Sequence, residues 1–509
     1  MANHMETELK LSCKDASAWE GIMEANALQS IAVPGSECTQ QLEARYFDTP
    51  GHALQKAGLA YRLRRENEEW VATVKEGGAS QGGLHARMEW NCRGCTDEPD
   101  VSVFAHTEIG KRLREVVAGE ALELLLITRF ERRTVDVLLQ DGSVIEVAAD
   151  KGEIVAGDKR EPILEIELEL KSGQPHAVFN LGAALAREVS LLPEEDSKFY
   201  RGLLLAGLAV KKGQNHRIPR INTAKPVGEA SSALLIDLIV QIIAAQRHLL
   251  EEPGQPELVH ELRICLWRLR SLMEFFEHFH VIKQYSVYQE ELRHIIQLLG
   301  RLRELDVAHT FWEKIQECRR PDTENKSWLD GLLAEERGKE MEKISGELQA
   351  GLTTPVLLAL WAELLDKEWQ QFTASLNMAG EYVHSGLAGC MKKMRKDAEP
   401  VDWRDAARVH QLRIETKKVK YILEVMEPAL SESSRLLELL EKLQDTLGII
   451  TDAWSTESLL KSLLRGKTAK GLYLEAGILV GWQRYQQLLL QKKLSKLWKK
   501  YNRISKKWK

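Results

Sequence analysis

The chain has 509 residues, with 70 Lys plus Arg against 75 Asp plus Glu and a net charge of −5. Hydrophobic residues at 44% and charged residues at 28% exclude a disordered chain, and the mildly acidic total excludes uniform cationic coating of nucleic acid. No apolar run reaches the roughly 18–20 residues of a membrane helix, the start MANHMETELK has no apolar signal core, and seven scattered cysteines do not form a disulfide framework. Together these predict a cytoplasmic protein of two to four domains, at about 150 residues each.

Residues 5 to about 170 read as strands. Short alternating segments recur in chain order: METELKL, LEARYFDT, LAYRLRR, WVATVK, LHARMEWN, RTVDVLL, SVIEVAAD and ILEIELELK. Glycine turns separate them, at Gly77-Gly78, Gly82-Gly83 and Asp141-Gly142. A helix opens near Asp15, and helices over about 175–190 and 197–208 close the region. Residues 209–230 are polar, basic and broken by proline and glycine, which predicts a linker. From about 231 onward the spacing of Leu, Glu, Lys and Arg predicts an all-α helical bundle.

That second half repeats itself. VHELRICLWRLRSLMEFFE at 259 returns as VHQLRIETKKVKYILEVME at 409, and the glycine of LLGRLRELDVA (Gly300) returns in TLGIITDA as Gly448. Two matched segments in the same order predict a duplication, with related halves over about 231–375 and 376–500.

Strand alternation sorts the charges of the first half. Glu6, Glu8 and Lys10 share one face of their strand, and Glu165, Glu167 and Glu169 share one face of theirs. Glu146 and Asp150, Arg62 and Arg64, Thr73 and Lys75, and His85, Arg87 and Glu89 are likewise grouped. A solvated sheet face is the plain reading of any one strand. Carboxylates stacked in this number repel unless a cation lies among them, and hard oxygen donors suit a divalent ion. The basic set then calls for an anion, and guanidinium suits phosphate oxygens. A sheet closed around these charges has the chemistry for phosphoryl transfer to water.

The first 200 residues resemble the CYTH family of triphosphate tunnel metalloenzymes. The motifs run in order: EXEXK (Glu6, Glu8, Lys10), YFDTP (Tyr46 to Pro50), RLR before a TXK strand (Arg62, Arg64, Lys75) and GGLHARMEWN. Arg132, IEVAADKGEI, EIELELKSG and a terminal SK (Ser197, Lys198) complete the set. Arg132 is chosen over Arg129 and Arg133 by register. The resemblance implies an antiparallel eight-stranded β-barrel with flanking helices, over 1–208. It implies Mg²⁺ or Mn²⁺ held among Glu6, Glu8, Asp150, Glu165, Glu167 and Glu169, and a linear triphosphate gripped by Lys10, Arg62, Arg64, Lys75, Arg87, Arg132 and Lys198. Glu6, Glu8, Lys10, Glu167 and Glu169 are then the catalytic set. The general base stays open between Glu167 and Glu169, with metal ligation the competing role.

In the helical half, His260, Arg263 and Arg270 form a basic stripe beside an apolar one, and His410, Arg413, Lys417 and Lys420 repeat it. Two such stripes facing across a pseudo-two-fold make a cationic groove for a polyanion. Residues of about 230–500 resemble the CHAD domain, which implies polyphosphate as the ligand of these seven residues. Glu304 stands where many relatives carry Asp. Two histidines 150 residues apart, without carboxylate or Cys partners at ligand spacing, do not read as a metal site.

Two short features stay outside both readings. The last 18 residues carry nine basic and no acidic side chains, with Trp498, Tyr501 and Trp508 interleaved. Contact with a polyanion, nucleic acid or an anionic membrane surface competes there with a plain solvated helix end. Cys92 and Cys95 form a lone CXXC with no second pair, so neither zinc nor redox chemistry is expected.

The expected function is that of a cytoplasmic inorganic triphosphatase. Its rivals are an organic triphosphate hydrolase, such as a thiamine triphosphatase, and a non-catalytic polyphosphate-binding scaffold. Class IV adenylate cyclase is disfavoured by the appended helical domain.

Overall fold

The computed structural model describes residues 3–66, 69–211, 217–277, 284–318, 327–367, 376–398, 402–426 and 433–507. The chain forms two compact units, Met1–Asn215 with Gln349–Asp366, and His216–Leu348 with Lys367–Lys509.

The first unit contains strands β1 (Asn3–Cys13), β2 (Cys38–Asp48), β3 (Leu59–Glu66), β4 (Glu69–Glu76) and β5 (Ala79–Gln81). It continues with β6 (Leu84–Cys95), β7 (Glu123–Leu138), β8 (Val144–Ala156), β9 (Lys159–Ser172) and β10 (Leu191–Pro193). Their order is β10-β1-β9-β8-β7-β2-β3-β4-β6-β5, and a further β1–β6 pairing closes eight of them into an antiparallel barrel. Closure removes the unpaired edges of an open sheet. The short β5 and β10 pair outside the ring, on β6 and β1.

Alternation decides what faces inward. On β9, Ile166 and Leu168 are completely buried on the outer face while Glu165, Glu167 and Glu169 take the other. The helix His176–Glu188 covers that outer face. A Cβ at Gly182 would lie 2.8 Å from the Leu9 side chain, so only glycine lets the helix approach so closely. The expected helix near Asp15 is Ala16–Gly21, capped by the Asp15 carboxylate, which accepts from Ala18 N–H at 2.9 Å.

Two boundaries differ from the sequence reading. The helix Thr354–Leu365 falls within the span read as helical bundle, yet it packs on His176–Glu188 in the barrel unit, with Phe179 stacked on Trp361 at 4.6 Å. Its nearly continuous apolar composition, TPVLLALWAELL, suits a helix enclosed by neighbours, and sequence separation places no limit on which ones. The helix Val227–Glu251 starts inside the span read as linker, and it corrects the reading of no membrane-length run. It is long and apolar enough to cross a membrane by length and composition, but most of its apolar stretch is buried within the protein. Its polar residues Glu229, Asp237, Arg247 and His248 interrupt the apolar run.

The second unit is helical. Its centre is two pairs, Pro256–Phe276 with Tyr285–Glu317 and Ala406–Met426 with Ser433–Leu463. Each helix packs on its pair-mate and on its repeat counterpart, as duplication predicts.

Candidate active site and polyanion groove

The barrel encloses a cavity of about 470 Å³. Glu8, Lys10, Arg62, Arg64, Lys75, Arg87, Arg132, Glu167, Glu169 and Lys198 all line it, so ten of the residues read as site residues converge there. Glu6 sits in β1 opposite Arg87 in register, and its side chain lies outside the described residues. Asp150 and Glu165, expected as metal ligands, are completely buried behind the lining.

The lining divides into two walls. One is acidic and formed by β1, β8 and β9, where Glu8 lies opposite Glu169 and Glu169 opposite Glu146. Three carboxylates abreast on neighbouring strands repel; Lys171 lies 3.0 Å from Glu169 and 3.4 Å from Glu146, and Lys10 and Arg87 lie 3.7 and 4.0 Å from Glu8. The other wall is basic, from β3, β4 and β6. Arg62 donates to Thr73 Oγ1 at 3.2 Å, Lys75 pairs with Glu89 at 2.6 Å, and Arg64 pairs with Glu66. Burial and the neighbouring Arg62 push the Arg64 pKa down, the mark of a crowded cationic surface.

At one end the two signs interlock. Lys198 opens the helix Lys198–Ala206 behind its Ser197 cap, and its ammonium lies 2.7 Å from Asp150 and 2.9 Å from Glu167 and also pairs with Glu165. Arg132 forks onto both Asp150 oxygens at 2.7 and 2.6 Å and also pairs with Glu167. Lys10 reaches Glu167 at 2.9 Å. Burial opposes charge on Glu167, but Lys10, Lys198 and Arg132 outweigh it and hold its carboxyl well below the usual range. Burial is likewise outweighed by carboxylates at Lys10, Lys198 and Arg132, whose pKa values are raised. Three cations thus hold Glu167 in its ionised form.

Two groups of oxygens present themselves to a metal. Asp150, Glu165 and Glu167 place ligand oxygens within 4.8 Å of one another, and Lys198 contacts all three while Arg132, Lys10 and Arg201 share their charge. The row Glu8, Glu169 and Glu146 also faces the cavity, with Lys171 beside the last two and Lys10 and Arg87 3.7 and 4.0 Å from Glu8, and offers further hard oxygen donors to a divalent cation.

Sequence reading missed His85 as a participant. It is buried, its Nε2 lies 3.1 Å from the Glu194 carbonyl, and its Nδ1 lies 2.5 Å from the Arg87 guanidinium. Burial and then Lys10 push its pKa down to about 4. The ring is thus neutral, donates from Nε2 and accepts from Arg87 at Nδ1. The Asp48 of YFDTP plays a structural part, accepting from the backbone N–H groups of Thr49, Leu54 and Gln55 at 2.7, 2.8 and 2.9 Å. Arg129 and Arg133 point away, to Glu43 at 3.0 Å and to Glu131 at 2.8 Å, so register chose the lining arginine correctly. The Cys92 and Cys95 thiols are free.

In the helical unit, His260, Arg263, Arg413 and Lys417 act on one another, together with Arg303, which the sequence reading passed over. Burial is the largest cause in each case, and the neighbouring cations add to it. It takes His260 down to about 4, Arg263 to about 10 and Lys417 to about 7. The carboxylates nearby are few: Asp452 is 3.5 Å from Arg413, and burial raises the pKa of both Asp452 and Glu304. The repeated glycines lie beside the arginines. Arg263 lies along the helix surface at Gly300 and donates to the Ile296 carbonyl at 2.7 Å, and Arg413 lies beside Gly448 in the same way. Arg263, Arg270 and His410 line a cavity of about 730 Å³. Arg270 is held by Gln289 at 2.9 Å, and Lys420 turns to Glu424 at 3.4 Å and Glu441 at 3.7 Å, outside the cluster.

Comparison with known proteins agrees with this division. Residues 4–203 match the family model of the CYTH domain, and residues 233–461 match that of the CHAD domain. The chain carries a CYTH domain followed by a CHAD domain. A protein of Haemophilus influenzae named inorganic triphosphatase is 36% identical over 165 residues, 31% of this chain and 44% of that relative, so the match spans less than half of the relative's length. The crystal structure of the CHAD domain from the plant Ricinus communis matches with 22% identity and a TM-score of 0.48, covering 57% of this chain and 97% of that one. A Hippeastrum protein, described as a putative adenylyl cyclase with a dominant triphosphatase activity, matches with 20% identity and a TM-score of 0.31, covering 40% and 98%.

Proposed function

We propose that the CYTH domain hydrolyses tripolyphosphate to diphosphate and phosphate with Mg²⁺ or Mn²⁺, and that the CHAD domain binds polyphosphate. The observation that carries the first reading is a cavity within the closed barrel, with a carboxylate wall opposite a guanidinium and ammonium wall. The basic wall grips the phosphate oxygens and orients the chain along the barrel. Glu8, Glu146 and Glu169 would hold the metal, with Glu6 two residues before Glu8 in β1, and the ion would supply charge neutralisation and an acidified water. Water adds to the terminal phosphorus, the bond to the bridging oxygen breaks, and diphosphate leaves with that oxygen. Glu169 carries fewer cationic partners than Glu167, and metal ligation and proton acceptance compete for its carboxylate. The second reading is supported by the buried cation cluster, which lacks enough carboxylates to balance it. Seven free cysteines support a reducing, cytoplasmic setting.

The test is phosphate release from tripolyphosphate, ATP and thiamine triphosphate, with either metal and with chelator. Fast metal-dependent release from tripolyphosphate is expected. Preference for thiamine triphosphate would move the substrate, and no release with retained polyphosphate binding would leave a scaffold.

A further inference from the structure

The basic segment near the C-terminus is helical through Ser505, and Trp508 lies outside the described residues. Residues Lys470–Ser505 form one continuous helix. Leu472, Ala476, Leu479, Gln483, Leu494, Trp498, Tyr501 and Ser505 recur at helical spacing and are its buried stripe. Trp498 stacks on Tyr501 at 5.2 Å and meets Trp403 edge-on at 6.5 Å. Those aromatic faces are spent on packing, so they are closed to stacking by nucleic-acid bases.

The opposite side is the unusual one. At about 100° per residue, Leu474, Tyr485, Leu488 and Leu489 lie within about 60° of a common line, roughly 180° from the buried stripe. They are 65%, 58%, 64% and 52% exposed. Gly477 and Gly481 lie between them on the same side, with nothing within 4 Å of their Cβ positions. Continued along the axis, the same line becomes basic: Lys492, Lys496, Lys499, Arg503, Lys506 and Lys507, all exposed. No acidic residue occurs after position 475. An ordinary surface helix is apolar only on its packed side. This one is apolar on both sides for its first half and cationic on its outer side for the second.

We propose that the outer face of this helix docks onto an anionic phospholipid surface. The apolar half enters the boundary between headgroups and acyl chains, and the basic half lies on the lipid phosphates. Charge complementarity selects this occupant. A second copy docked through the same face brings only like charge or apolar surface to the basic half, and a purely ionic polyanion leaves the apolar half in water. The apolar half extends about 22 Å and the basic half about as far, each long enough to span several headgroups.

The full-length protein is to be floated with vesicles of phosphatidylcholine alone and of phosphatidylcholine mixed with phosphatidylglycerol, at low and high salt. Binding to the mixed vesicles alone, weakened by salt, is expected. Leu474→Ser with Leu488→Ser should lower it about tenfold or more, and each of Lys492→Gln, Lys496→Gln and Lys499→Gln roughly fivefold, at about one kcal/mol per cation. These side chains are exposed, so unchanged melting and unchanged tripolyphosphate release would show the fold intact. No binding to mixed vesicles overturns the proposal. Binding that ignores the leucine substitutions also overturns it and leaves simple polycation adsorption. A dimer abolished by Leu488→Ser, with no vesicle binding, assigns the face to a second copy instead. Binding of single-stranded DNA by the same lysines, with no vesicle binding, assigns it to nucleic acid.

Discussion

The barrel cavity and the helical groove are both cationic, yet their charges are in opposite states. In the barrel, Lys10, Lys198 and Arg132 face Glu8, Asp150, Glu165 and Glu167, and the carboxylates raise the pKa of all three cations. In the groove, Arg263, Arg303, Arg413 and Lys417 face one another, and burial with mutual repulsion takes Lys417 down to about 7. A paired buried charge is held in geometry before any ligand arrives. An under-compensated one is stabilised only when an anion does. The first arrangement suits a reaction centre, which needs fixed groups at the moment of bond breaking. The second suits capture of a polyanion, since the ligand itself relieves the strain among the cations.

The contrast can be broken at either end. The largest effect is expected at the carboxylate wall. Glu8→Gln should lower metal-dependent phosphate release by about 10²–10³, in line with removal of a key electrostatic group, with circular dichroism unchanged. A fall below tenfold would mean that the ion is held elsewhere. Next is Asp150→Ala, which removes the completely buried carboxylate that Arg132 and Lys198 share. Loss of about 3–5 kcal/mol of stability in denaturant titration is expected. A stable variant with weakened metal affinity would instead place the ion in the Asp150, Glu165 and Glu167 group.

Smaller effects are expected in the groove. Arg263→Ala with Arg413→Ala should weaken polyphosphate binding by roughly 10²-fold, at about 1.5 kcal/mol for each charged contact. Tripolyphosphate turnover should not change, and calorimetry with a phosphate-release assay reads both. Lys417 gives a pH effect whose sign follows from its lowered pKa. Unfolded, it titrates near 10.5, so between about pH 7 and 10.5 the unfolded chain holds the extra proton and stability rises with pH. Below about pH 7 the burial penalty is present in full. Bound polyphosphate favours the protonated form, so binding should take up a proton near pH 7 to 8 and weaken as pH rises. Lys417→Met should stabilise the ligand-free protein at pH 6 and abolish the proton uptake measured in buffers of different ionisation enthalpy. The smallest effect is expected at Glu43→Gln, on the barrel exterior. Its partial exposure limits it to under about 1 kcal/mol in a thermal melt, with turnover unchanged.

Much of this was legible from residue order. Strand alternation put Glu8, Lys10, Arg62, Arg64, Lys75, Arg87, Arg132 and Glu169 on inward faces, because a two-residue period is a local property of extended backbone. The repeated VHXLR and LG segments announced the duplication, and the glycines proved to be where Arg263 and Arg413 lie against the helix surface. What escaped was every relation set by distance across the fold. Nothing in EIELELK separates Glu167, which three cations grip, from Glu169, which faces the cavity with one lysine. Nothing near His85 says that its ring holds Arg87.

By itself the sequence determined the two-part architecture, the closed sheet with charge inside, and most of the cavity lining, since periodicity and motif order are written in neighbouring residues. Only the tertiary structure decided which carboxylates are neutralised by Lys198 and Arg132, that Thr354–Leu365 joins the barrel unit, and that Trp498 and Tyr501 turn inward while Leu474 and Leu488 stay outside. Those outcomes depend on which surfaces meet and which charges are removed from water, and both are properties of the folded whole.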